Sequence, residues 1–358
     1  MGLIASKRFE FAASHYYRHP GWTTAQNETV FGKDAYGPHG HGHNFVMYAG
    51  FTGPLDPENG MIIELSHVKR DVLEHVLPRY DHYVLNTVPA FAHVLPTPEN
   101  MASTLLSEIG TVFAGRTYRP AHVHLIESSV SAATAYADGR VERHWQQALG
   151  NPRFFDFWGT GAVTLGITLA GIPDRDAGAI LPDKAVLARL RQLASQVSQM
   201  TVDTSEAVLP QILVSLADFP CARVVLRTPH GTFEHDGELL SYSVTGAYTA
   251  THRLINPERT LAENEACFGK CHRHHGHTFD VEVTVSDSPL SEVQTCLAAV
   301  LAQWDYQALD SHSDFDNTPC TTEHMVRVLA EKWAKLGVGS LRRIRLHETP
   351  NNRFSLRL

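Results

Sequence analysis

Phe11-Ala-Ala-Ser-His15, Val30-Phe-Gly-Lys-Asp34 and Gly40-His41-Gly-His43-Asn-Phe45 follow one another near the start of the chain. Tyr248-Thr-Ala-Thr-His252, Cys267-Phe-Gly-Lys-Cys271 and His274-His275-Gly-His277-Thr-Phe279 repeat that order and spacing near its end. The agreement continues: Tyr80-Asp81-His82-Tyr-Val-Leu85-Asn86 is matched by Trp304-Asp305-Tyr306-Gln-Ala-Leu309-Asp310. Pro96-Thr97-Pro-Glu99-Asn100-Met101 is matched by Cys320-Thr321-Thr322-Glu323-His324-Met325, and Leu125-Ile-Glu127-Ser by Leu346-His-Glu348-Thr. Ordered correspondences of this kind are the mark of an internal duplication.

The middle of the chain carries a fainter echo. Leu169-Ala-Gly-Ile-Pro-Asp174-Arg-Asp-Ala-Gly178-Ala-Ile-Leu follows the pattern of Phe51-Thr-Gly53-Pro-Leu-Asp56-Pro-Glu-Asn-Gly60-Met-Ile-Ile. Two helical stretches follow, the second opened by Thr204-Ser205-Glu206, and then an apolar run at 222–227. This reads as a third, degenerate module without the histidines or the Asp-His pair. The expected division is 1–144, 145–240 and 241–358, with Pro and Gly gathered at the junctions near Gly150–Pro152 and Pro229–Gly237. Within modules, 278–285 alternates Val281, Val283 and Val285 against Asp280, Glu282 and Thr284, as a half-buried antiparallel strand does. Ser291-Glu-Val-Gln294 predicts a capping box for a helix with the stripe Val293, Leu297, Val300 and Trp304. Asp183 is expected to cap a helix striped by Val186, Leu190, Leu193, Val197 and Met200. Each module reads β-β-α-α-β-β, an α+β unit.

Composition narrows the function classes. Hydrophobic residues make up 43 % of 358 and charged ones 19 %, an ordinary globular balance. Thirty Lys and Arg against 38 Asp and Glu leave a net charge of −8, and no basic block suggests a nucleic-acid partner. No apolar run approaches the ~18 residues of a membrane span, and the start lacks a signal-peptide layout. Five cysteines suit a reducing cytoplasm better than a disulfide scaffold. Histidine, with 22 copies, is the excess.

His-x-His at a strand start puts both rings on one face, and a third His on the neighbouring strand completes three imidazoles, leaving one position of a tetrahedral zinc open. Two such sets arise: His15, His41 and His43, and His252, His275 and His277. His39, His272 and His274 break the pattern and read as flanking residues. Cys271, four residues before His275, is a candidate base whose thiol a nearby zinc would acidify. Asp81 and His82 fit a carboxylate that orients an imidazole for proton transfer. Glu127 and Glu348, late in apolar strands, call for partners, and the N–H edge of a heterocycle would supply one.

These motifs resemble the 6-pyruvoyl-tetrahydropterin synthase / 6-carboxytetrahydropterin synthase family of the tunnelling fold, over 9–136 and 242–357. The resemblance implies tandem tunnelling-fold modules, antiparallel sheets with helices on one face, and a chain able to close as an intrachain pseudo-trimer barrel. It implies zinc on both histidine triads, Cys271 as base, Asp81 and His82 as proton relay, and Glu127 or Glu348 as the pterin anchor, with Thr321 and Thr322 lining the second pocket. The implied substrate is a small dihydropterin, 7,8-dihydroneopterin triphosphate or a close derivative. The implied reaction class is a zinc-dependent carbon–oxygen lyase, with 6-carboxytetrahydropterin formation also open.

Departures from the family pattern sharpen the expectation. The cysteine position of the first module holds Asp34, and the relay histidine of the third is Tyr306, so neither module alone has the full set. A composite site would join Cys271 and its triad to Asp81 and His82, within one chain or between chains of a homo-oligomer such as a dimer of pseudo-trimers. The alternatives are side-chain cleavage of dihydroneopterin, aldolase-like, with Asp34 as base, and a non-catalytic zinc-binding scaffold.

Overall fold

The computed structural model describes residues 2–36, 39–149, 163–197, 208–316 and 318–358. Its twelve strands form one closed barrel in which every strand pairs antiparallel with its sequence neighbours. They are β1 (Gly2–His15), β2 (His41–Thr52), β3 (Arg119–Ser128), β4 (Ser131–Tyr136), β5 (Val141–Leu149), β6 (Val163–Gly171), β7 (Cys221–Thr228), β8 (Gly231–His235), β9 (Leu240–His252), β10 (His275–Ser286), β11 (Ser340–Thr349) and β12 (Asn352–Arg357). Strand β12 returns to pair with β1, so the sheet has no free edge.

Helices fill the long connections and pack on the sheet. They are α1 (Thr24–Phe31), α2 (Leu65–His75), α3 (Pro98–Val112), α4 (Asp183–Val197), α5 (Val208–Ser215), α6 (Leu261–Phe268), α7 (Leu290–Leu301) and α8 (Thr322–Leu336). The period-2 pattern of the strands explains the core. In β10, Phe279, Val281, Val283 and Val285 are buried, and they join Leu297 and Trp304 from the α7 side in one apolar cluster. No helix is long and apolar enough to cross a membrane.

Two local expectations are corrected. Helix α7 begins at Leu290 with Pro289 at its cap and no side-chain capping bond, so the Ser291 box does not form. Asp183 lies inside the first turn of α4, whose backbone bonds close on the Pro182 carbonyl, and its carboxylate accepts from Arg143 instead. The α4 stripe of Val186, Leu190, Leu193 and Val197 is buried as expected. Met200, the 204–206 helix start and the 150–152 junction lie outside the described residues.

The duplication is visible in the loops that lead into β2 and β10. Thr23 with Gln26 and Thr260 with Glu263 form matching capping boxes. Buried Asn27 and Asn264 each accept from a backbone N–H eight residues back, at 2.7 Å, and donate to turn carbonyls. Each helix ends on a positive-φ glycine, Gly32 or Gly269. A one-turn 3-10 helix then places Asp34 in the first loop and Cys271 in the second.

Candidate functional site

Strand register brings each histidine triad together. His15 ends β1 directly opposite His41, with His43 across from Ala13. His252 ends β9 opposite His275, with His277 across from Ala250. Ring centroids within the first triad are 4.6–5.2 Å apart and within the second 4.5–5.4 Å. In each triad the potential ligand atoms all lie within 4.8 Å of one another.

The rings are oriented for a cation. His15 Nδ1 donates to the Pro96 carbonyl at 2.8 Å, His252 Nδ1 to Cys320 at 3.1 Å and His275 Nδ1 to Arg273 at 2.7 Å. Those bonds fix the tautomer that leaves Nε2 as a lone-pair donor. Nε2 of His15, His43 and His252 is buried with no hydrogen-bond partner, a costly arrangement that a metal would resolve. Burial lowers His15 and His252 to about 4, so both are neutral ligands near pH 7. Both triads therefore fit a metal such as zinc.

Gly40 makes the first triad possible. It has φ +71°, and a Cβ there would meet the His15 carbonyl oxygen at 1.9 Å and its carbon at 2.5 Å. Backbone cannot yield as a side chain can, so Gly40→Ala should push β2 away from His15. The expected result is a fall in bound zinc from two ions to one per chain by elemental analysis. A count that stays at two would refute the role given to this turn.

The carboxylates beside the triads sit in two different environments. Glu127 is buried, with Oε1 at 3.5 Å from His15 Nε2 and accepting from Tyr17 Oη at 3.2 Å, while Ser131 Oγ donates to Oε2. Arg143, fully buried on β5, reaches Glu127 Oε2 at 3.4 Å, Asp183 Oδ2 at 2.8 Å and Glu99 Oε2 at 3.4 Å. Burial alone would raise Glu127, but Arg143, followed by His15 and the Ser131 hydroxyl, outweighs it and holds the carboxyl at about 2. Glu348 Oε1 lies 4.0 Å from His252 Nε2 and accepts from Thr322 Oγ1 at 3.1 Å, and Oε2 accepts from Asn352 Nδ2 at 3.2 Å. Beside it Glu323 is buried, its Oε1 accepting from Ile62 N at 3.1 Å, and burial raises it to about 8.

Thr321 caps α8 and donates to the Gly60 carbonyl at 3.0 Å, so it ties the helix to the neighbouring loop, whereas Thr322 touches Glu348. Burial, then the Glu348 charge, raises the Cys271 thiol. Asp34 Oδ1 lies 3.9 Å from His41 Nε2 at an open pocket of about 590 Å³ that His43, Lys33, Tyr36 and Trp145 also line. Asp81 accepts from Ala12 N at 2.9 Å and contacts His82 Nδ1 at 2.9 Å, and the His82 side chain is 81 % exposed. His82 holds φ +64°, as its counterpart Tyr306 does at +57°. Within the described residues this pair contacts β1 and not Cys271.

The sequence profile of 6-pyruvoyl tetrahydropterin synthase matches residues 4–138 and 241–358, the two regions that carry the triads. The chain belongs to the 6-pyruvoyl tetrahydropterin synthase family. The 6-pyruvoyl tetrahydrobiopterin synthases of Pongo abelii and Homo sapiens are each 37 % identical to it over 98 residues, 27 % of this chain and 67 % of theirs. A solved 6-pyruvoyl tetrahydropterin synthase from Caenorhabditis elegans is 26 % identical, with a TM-score of 0.35, over 38 % of this chain and 97 % of its own. As a member of the synthase family with two matched regions, the chain is a tandem tunnelling-fold protein.

Sequence reading missed Arg143, Glu323 and Tyr17. The signal for Arg143 was present: on alternating β5 it shares a face with Val141 and Trp145, both buried, so a charge there had to be paired. Glu99 and Glu323 look like first-turn helix acids in sequence, and only the fold shows both carboxyls buried.

Proposed function

We propose that the chain is a zinc-dependent pterin-pathway lyase of the 6-pyruvoyl-tetrahydropterin synthase type, built as modules 1–144, 145–240 and 241–358 and acting on 7,8-dihydroneopterin triphosphate at the second triad. The observation that carries this reading is the set His252, His275, His277, Cys271 and Glu348 gathered where the end of the chain meets its beginning. Zinc held by the three histidines would supply Lewis-acid polarisation of side-chain oxygens. Glu348, kept in place by Thr322 and Asn352, accepts the N–H edge of the ring and fixes its orientation. Cys271 is the base that removes a proton from the side-chain carbon, and loss of triphosphate breaks the adjacent C–O bond. Asp81 orients His82, which relays the proton. Because that pair stands exposed in the loop that bonds to Ala12 of β1, we assign it to the site of a second copy in a homo-oligomer.

The test is incubation with 7,8-dihydroneopterin triphosphate, with and without a chelator, reading products by mass. A chelator-sensitive product that has lost triphosphate supports the reading. The absence of any chelator-sensitive product from a dihydroneopterin compound defeats it.

A further inference from the structure

We propose that Arg143 is an internal ligand: its guanidinium fills the place between Glu127 and Glu99 that, at the twin seam, Glu348 and Glu323 leave for the guanidine-like N–H edge of a planar heterocycle, so the chain has two metal triads but takes one heterocycle. This rests on the function proposed above and adds why the first seam takes no heterocycle.

The two seams superimpose in register. Ser131, the residue bonded to Glu127, pairs with Trp145 across β4 and β5, and Ala133 pairs with Arg143. Asn352, the residue bonded to Glu348, pairs with Lys7 across β12 and β1, and Phe354 pairs with Ala5. Arg143 and Ala5 therefore hold the same place. The loops agree as well. Thr97 Oγ1 donates to Gly178 O at 2.5 Å and Ile180 N to Glu99 at 3.3 Å, as Thr321 does to Gly60 and Ile62 N to Glu323.

One seam thus holds a carboxylate pair with a guanidinium between them, and the other holds the same pair with a methyl group in the arginine's place. Among the described residues no arginine or lysine lies within ion-pair distance of Glu348 or Glu323; Lys7 Nζ donates to Asn352 Oδ1 at 2.7 Å. A half-buried carboxylate beside a buried acid seeks donors, and the arginine shows which donor shape this geometry accepts: planar, with parallel N–H groups. A 2-amino-4-oxopyrimidine edge is a cyclic acylguanidine with the same donor pattern. At the first seam that place is taken. The guanidinium carbon lies 4.9 Å from the Trp145 ring centroid, and the space beside it, lined by Tyr17, Thr97 and Glu99, is about 20 Å³, room for a water and no ring. The first triad stays reachable through the larger pocket, with its carboxylate already bound.

The experiment titrates the zinc-loaded full chain with neopterin, a fluorescent heterocycle carrying that edge. Wild type should bind one neopterin per chain. Glu348→Ala should weaken binding by about 10- to 100-fold, the loss of a charge-assisted bond pair, leaving no second tight site. Two neopterins per wild-type chain, or one tight site remaining in Glu348→Ala with Arg143 intact, would overturn the proposal. These arms need no arginine variant. A third arm, Arg143→Ala with Glu348→Ala, should regain a site, and a folded double variant that binds none counts against the proposal. Wild type that binds none while this double variant binds sinks the assignment of the second triad and keeps the role of Arg143; no binding by either sinks both.

Discussion

Cys271→Ala is expected to lower turnover of 7,8-dihydroneopterin triphosphate by about 10²- to 10⁴-fold, the usual worth of a positioned general base. The zinc content should stay at two ions per chain, because the six histidines that could hold metal do not include Cys271. Neopterin binding should also persist, since Glu348 and Thr322 hold each other without the thiol. A loss confined to the rate, with metal and ligand binding intact, separates a base from a ligand or a packing residue. The same variant tests where the relay comes from. Cys271→Ala and His82→Ala chains each lack one half of the set. If Asp81 and His82 serve a second copy, co-refolded mixtures of the two inactive chains should regain up to roughly a quarter of wild-type activity, because half of symmetric dimers are mixed and each mixed dimer restores one of two sites. Activity that never returns in the mixture would mean that the relay is not exchanged between chains. Within one homogeneous preparation, the two substitutions together should cost little more than the worse single one, as residues acting as a unit do.

Much of this site could be read before the fold was known, because its chemistry is local in sequence. His-x-His on alternating backbone dictates a shared face, and both triads form as that rule requires. The Thr97 cap with Pro98 at the first helical position is also a local matter: the Thr97 hydroxyl accepts from Asn100 N three residues on. What stayed hidden depends on contacts between distant segments. Arg143 meets Glu99 and Asp183 only because β5 runs beside β4 and α4 packs against the seam. The Ser291 box failed for a related reason: helix α7 starts two residues earlier than that box requires, at Leu290, which packs against the core, and burial outranks capping preference. The relay pair is the instructive case. Sequence supplied Asp81 and His82 and a family role for them, yet their geometry is fixed by backbone bonds to Ala12, which leave His82 facing solvent.

Arg143→Met should destabilise the chain by about 3–5 kcal/mol at pH 8, the cost of stranding buried charges without their partner. Methionine keeps most of the arginine stem, so what is removed is the charge and the guanidinium plane over Trp145. The pH dependence follows from the acids left behind. Burial raises Glu99 to about 7 and also raises Asp183, even with Arg143 beside them, and without the guanidinium both must rise further. A carboxyl whose folded pKa lies above its unfolded one holds its proton more tightly in the folded state. Stability is therefore lowest above the folded value and recovers as pH falls toward the unfolded range near 4. The urea midpoint of Arg143→Met should accordingly lie far below wild type at pH 8 and close much of the gap at pH 5. Adding Glu99→Gln should recover part of the loss at pH 8 and little at pH 5. An equal deficit at both values would mean that the variant's native state takes up no more protons than wild type between pH 8 and 5, and would place the cost in the lost van der Waals contacts of the guanidinium plane on Trp145.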